Sequence, residues 1–118
     1  MAIPSGSGTE VLKRTHIQTL TNSPQKLIDG SDANHIITIL NIIFCEASNT
    51  DELLQMYIYP SANSNQETRL LRSQPIPAYG TFVWNEKIVL VGTDELLVET
   101  STQANIDVTC NYILQDWS

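Results

Sequence analysis

Between Asn34 and Ala47 the chain reads Asn-His-Ile-Ile-Thr-Ile-Leu-Asn-Ile-Ile-Phe-Cys-Glu-Ala, and this segment limits the fold more than any other. Ile36, Ile37, Ile39, Leu40, Ile42, Ile43 and Phe44 fill both phases of a two-residue repeat. A strand with one wet face alternates apolar and polar residues. One that is apolar on both phases belongs in the middle of a sheet, with both faces covered. A helix is disfavoured because the β-branched isoleucines lose rotamer freedom against the preceding turn. The run is too short to span a bilayer and is broken by Thr38 and Asn41. Asn41, at its centre, is a candidate β-bulge.

The remaining chain is punctuated into short strands. Glu10–Leu20 alternates loosely, with Thr15, Ile17 and Thr19 favouring a strand. Turn chemistry at Asn22-Ser23-Pro24 precedes a short strand at Gln25–Ile28. Leu53–Tyr59 alternates and is ended by Pro60, and a polar loop of Asn and Ser follows. Arg69–Ser73 is expected to stop before Pro75 and Pro77, with a turn at Ala78-Tyr79-Gly80. Thr81–Trp84 and Lys87–Val91 read as two strands joined by a tight turn at Asn85-Glu86. Leu96–Thr100 follows, then a last, cleanly alternating strand from Ile106 to Leu114.

About eight strands with a turn every 8–12 residues and no amphipathic helix predict an all-β fold, an antiparallel β-sandwich or jelly roll. Residues 1–9 are rich in Gly, Ser and Pro and read as an extended N-terminal arm. Residues 10–118 form the single domain that 118 residues allow.

Charge excludes some classes of partner. The net charge is −7, and the six cations (Lys13, Arg14, Lys26, Arg69, Arg72, Lys87) are scattered. Nucleic acid requires clustered cations to replace phosphate counterions, and an anionic membrane surface requires them too. Only 16% of residues are charged, below the usual quarter, with Ser, Thr, Asn and Gln in their place. Such a lightly charged polar surface suits contact with other proteins. Met1–Gly8 lacks the basic and apolar regions of a signal peptide, so a cytosol-like compartment is expected. Cys45 and Cys110 both fall in apolar strands and are expected to be buried free thiols, with a disulfide between neighbouring strands as the alternative.

Nothing in the pattern points to an enzyme. His16 and His35 read as strand residues, and neither cysteine has a nucleophile's surroundings. There is no Gly-x-Ser-x-Gly elbow, no His-Glu-x-x-His and no Cys-x-x-Cys, so no catalytic residue, metal or cofactor is assigned. The oxygen-rich stretch Asp29–Asn34 reads as a turn held by Asp and Asn side chains, its spacing unlike that of a calcium loop. The glycines of Gly6-Ser7-Gly8-Thr9 precede no helix and lack a following Lys-Ser/Thr pair.

The aromatics are more informative. Tyr and Trp suit interfaces because they bury large area while keeping a polar tip. Tyr57, Tyr59, Tyr79 and Trp84 are therefore expected at a protein interface, with Trp117 pinning the C-terminal end and Ile3 anchoring the arm. Phe82 is as well explained by core packing.

The layout resembles that of short virion structural proteins of tailed bacteriophages, of the cyanophage and marine-phage type. The resemblance lies in the arm with its following segment, Ile3 to Arg14, and in the apolar run Ile36–Cys45. It continues in Ile76-Pro77-Ala78-Tyr79-Gly80-Thr81-Phe82-Val83-Trp84 with Ile88-Val89-Leu90, and in Gln115-Asp116-Trp117. It implies a β-sandwich subunit, often trimeric, assembled in the host cytoplasm onto the capsid surface, neck or tail. Its partners would be the major capsid protein, neck or tail subunits, and further copies of itself. It also implies a hairpin after Ile76-Pro77-Ala78 whose second strand is Ile88-Val89-Leu90. The alternative is a carbohydrate- or receptor-binding module of a tail fibre, with Tyr57, Tyr59 and Asn63 as a sugar platform. A chain that starts at Met1 and ends soon after its last strand fits a free-standing subunit better.

Overall fold

The computed structural model describes residues 8–30, 34–59, 67–102 and 105–116. Among these there are nine strands and no helix: β1 Thr9–Ile17, β2 Gln25–Ile28, β3 His35–Glu46, β4 Glu52–Tyr59, β5 Thr68–Ile76, β6 Thr81–Trp84, β7 Ile88–Val91, β8 Glu95–Thr100 and β9 Ile106–Asp116. They form two antiparallel sheets, the β-sandwich that the strand spacing predicts. One sheet runs β1-β9-β3, with β6 and β7 both on the far edge of β3; the other runs β2-β8-β4-β5.

The alternation of β9 explains the core. Ile106, Val108 and Cys110 point inward with Ile37, Ile39, Ile42 and Phe44 of β3, against Leu54, Met56, Leu96 and Val98 of the facing sheet. Leu20, fully buried, closes one end of the sandwich, where its N–H donates to the Ile106 carbonyl at 2.9 Å. Burying a large aliphatic side chain contributes about 1.5–3 kcal/mol, so these inward phases supply most of the driving force.

Four expectations are corrected. The first concerns β3, which is central in its sheet, but only its inward phase is buried. Ile36, Thr38 and Ile43 are half-exposed and Cys45 is exposed, because a two-layer sandwich has nothing to lay over the outer face of either sheet. Cys45 is therefore not a core thiol. Cys110 is buried, both cysteines are free, and Cys45 pairs in register with Asp107 rather than with Cys110.

The second concerns Pro75, which lies inside β5 opposite Leu53. A strand at a sheet edge loses no ladder hydrogen bond to a missing N–H. Just before it the strand bulges. Arg72 and Ser73 oppose Gln55 alone, Ser73 has φ 56°, and the Gln55 Nε2 donates to Ser73 Oγ at 3.2 Å.

The third and fourth concern β6 and β7, which do not form a hairpin, and Asn85-Glu86, which is not its turn. Both strands pair with β3 in the same direction, Trp84 with Ile42 and Ile88 with Ile39. They are one edge strand interrupted by Asn85–Lys87. The interruption faces the point where β3 itself bulges between Ile39 and Asn41. Asn41 does mark a bulge, and the Asn111 Nδ2 donates to its Oδ1 at 2.7 Å across the strands.

Candidate assembly surface

Strand register decides which side chains share the outer face of the five-stranded sheet. Leu12 of β1 lies opposite Ile113 of β9, Ile113 opposite Thr38 of β3, and Thr38 opposite Val89 of β7. A second row runs His16, Thr109, Ile43, Val83, and a third Glu10, Gln115, Ile36, Val91. Leu12 is 72% exposed, Val89 58% and Val83 50%, while Ile36, Ile43 and Ile113 are half-buried between their neighbours. The outer positions of β3, β6, β7 and β9 include a single formally charged residue, Asp107, in a chain of net charge −7. Arg14, Asn111 and Asn41 form a polar row between the first and second, and Glu10 and His16 stand at the β1 margin, so the face mixes apolar with mostly uncharged polar side chains, a composition that suits a protein contact site.

The residues expected at an interface do not gather on this face. Tyr57 is buried, because the Arg69 guanidinium lies over its ring at 4.2 Å and the Tyr59 ring meets it edge-on at 5.6 Å. In the isolated chain its ring is therefore not offered to a partner. Burial, and then the neighbouring Glu99 carboxylate, push its phenol up to about 12. The same stacking removes the proposed sugar platform, since the Tyr57 face is already taken by Arg69, and Asn63 lies outside the described residues. Tyr59 is half-exposed on the outer face of the four-stranded sheet. Trp84 packs its ring against the core and donates its Nε1–H to the Glu86 carbonyl at 3.0 Å. Tyr79 is 69% exposed in the turn after β5, with φ 56° and its N–H donating to the Ser48 carbonyl at 3.1 Å. Phe82 packs against Phe44 at 6.0 Å, a core contact. Ile3 and Trp117 lie outside the described residues, as do most of the arm and part of the Asp29–Asn34 turn.

Sequence reasoning missed Leu12, Val83 and Val89. The signal is the second apolar phase of Ile36–Ile43, which a local pattern does not distinguish from burial within the chain. One further concavity, of about 370 Å³, opens between β1, β2, β3 and β9, where Lys13, Thr15, Leu27 and Tyr112 line it. Two of its other polar side chains are paired locally: Lys26 Nζ with Glu95 Oε2 at 2.6 Å, and His35 Nε2 with Asp116 Oδ2 at 3.5 Å. Among the described residues no three His, Cys, Asp or Glu side chains converge as metal ligands.

No protein-family model and no curated protein matches the sequence. Solved structures do resemble the fold. A chain from the disulfide-linked pili of Bacillus endospore appendages superposes with a TM-score of 0.55 at 13% identity, covering 100% of this chain and 97% of that one. A chain of the acid-stable capsid of Helicobacter pylori bacteriophage KHP30 gives 0.53 at 8%, covering 98% and 92%. The VP2 subviral particle of infectious bursal disease virus gives 0.57 at 11%, with 92% of this chain matched to 33% of that one. At such identities the likeness is one of fold, and the fold it establishes is an antiparallel β-sandwich shared with phage and viral capsid chains and with a pilus chain.

Proposed function

We propose that this chain is a non-enzymatic structural subunit of a bacteriophage virion, placed on the capsid surface or at the neck or tail and working by protein–protein contact. The observation that carries the reading is the uncovered outer face of the five-stranded sheet. Seven apolar side chains in these three rows, with Val83, Val89 and Leu12 at least half-exposed and the ionisable Glu10 and His16 confined to the β1 margin, are costly to leave in water. Covering them with neighbouring subunits recovers that free energy. The sandwich it shares with a phage capsid chain and with viral capsid chains supports the same reading. Its partners would be the major capsid protein or neck and tail subunits, and its site of assembly the host cytoplasm.

The test is antibody labelling of purified particles viewed by negative-stain microscopy, alongside mass spectrometry of those particles. Regular labelling at one virion position is expected. Recovery of the chain only from the particle-free fraction would overturn the proposal.

A further inference from the structure

An edge strand presents unpaired backbone donors and acceptors, and proteins usually blunt such edges with short strands, bulges, proline or charge. Three of the four edges here are blunted. β2 is four residues long with an irregular register, and β5 carries Pro75 and the Ser73 bulge. The β6–β7 edge is split into two four-residue pieces. β1 is different. It is nine residues long, keeps an unbroken register with β9 from Thr9 to Ile17, contains no proline, and no described strand lies on its outer edge. It also exposes Leu12 and Val11, one on each face.

We propose that β1 is a pairing edge for a second copy of this chain. The two β1 strands lie antiparallel about a twofold axis at Leu12, joining two five-stranded sheets into one. This rests on the assembly reading above and names its partner and register. The charge pattern selects that register. Glu10, Leu12 and Arg14 share the outer face. An axis at Leu12 sets Leu12 against its own copy and Glu10 of each chain against Arg14 of the other. It leaves Val11 opposite Lys13 and Thr9 opposite Thr15 on the inner side. An axis at Glu10, Lys13 or Arg14 would place like charges directly opposite, which destabilises a strand pair. An axis at Val11 leaves Glu10 facing Leu12. Leu12 is the only axis on β1 that pairs Glu10 with Arg14 twice. Glu10 already accepts from Gln115 Nε2 at 3.0 Å, which holds its carboxylate on this face. Because the axis stands perpendicular to the sheet, both apolar outer faces point the same way and become one continuous surface.

The experiment is sedimentation equilibrium on the full chain and on Glu10→Arg, Arg14→Glu and the double exchange, with circular dichroism as a check on folding. The wild type is expected to form a dimer. Each single reversal should raise the dimer dissociation constant about tenfold or more, since two attractive cross-strand pairs become repulsive, and the double exchange should restore it to within about threefold. A wild type that stays monomeric up to high concentration overturns the inference, as does a dimer indifferent to the single reversals. Particle incorporation of the same four proteins separates the two readings. If a monomeric wild type still enters particles, β1 pairing fails while the assembly role stands. If it neither pairs nor enters particles, both fail.

Discussion

Ile42 and Ile43 are neighbours on β3 with opposite fates, so replacing each with Ala measures how many layers the domain has. Ile42 is fully buried among Phe44, Met56 and Val98, whereas Ile43 is half-exposed on the outer face. Each substitution removes three carbons, worth about 0.8 kcal/mol apiece when fully buried. At Ile42 the transfer loss alone is about 2.4 kcal/mol. The cavity left in a packed core raises the expected cost to about 3–4 kcal/mol. At Ile43 roughly half of the transfer loss applies and no closed cavity forms, so about 1 kcal/mol is expected. The loss of β-branching is common to both and cancels in the difference of about 2–3 kcal/mol. Urea unfolding followed by tryptophan fluorescence at low protein concentration gives both values, with unchanged m-values showing that the same surface is exposed. Equal costs at the two positions would refute the two-layer account, because they would mean that the outer face is covered even in the isolated chain.

Three further outcomes are expected. Under native conditions a maleimide should modify Cys45 rapidly and Cys110 only on unfolding, since Cys110 is buried with its thiol pushed up to about 12; equal rates would contradict the assigned faces. Stability should fall as pH rises from about 9 towards about 12, because the unfolded chain releases the protons of Cys110 and Tyr57 before the folded one does. Cys110→Ala should flatten the earlier part of that fall, and an unchanged profile would refute the assignment. Gly30→Ala should cost about 1–3 kcal/mol in thermal or urea unfolding, because a Cβ there would stand 2.0 Å from the Asp94 carbonyl oxygen, a backbone atom that cannot swing away. A neutral result would mean that the β2–β8 region yields more readily than its packing implies.

The fold was legible because alternation and turn chemistry are local signals. Val108 and Cys110 alternating with Asp107 and Thr109 leave one reading for β9. What escaped depended on pairing. No local pattern tells a hairpin between Thr81–Trp84 and Ile88–Val91 from a single interrupted strand, because the difference lies in which residues of β3 stand opposite. Pro75 reads as a stop until β5 is known to lie at an edge. The candidate surface was half-legible. The doubled apolar phase of β3 was plain in the sequence, but whether its outer half is covered depends on the number of layers. The burial of Tyr57 was not legible, because the bulged register of β4 against β5 brings Arg69 opposite its ring, a long-range pairing that composition does not encode.

The position of β9 has a consequence for how the chain is made. It lies between β1 and β3, so the strand that holds the five-stranded sheet together is the last of the nine to be synthesised. The other sheet has the same arrangement, with β8 between β2 and β4. Until both arrive, β1 has no strand on either side and the inward isoleucines of β3 have only part of their cover. Little native structure can therefore accumulate during synthesis, and folding has to proceed as one late event dominated by contacts between distant segments, which makes it slow. A nascent chain halted before Ile106 would carry the whole hydrophobic load without the strand that organises it, making it a substrate for chaperones or aggregation instead of a smaller folded domain.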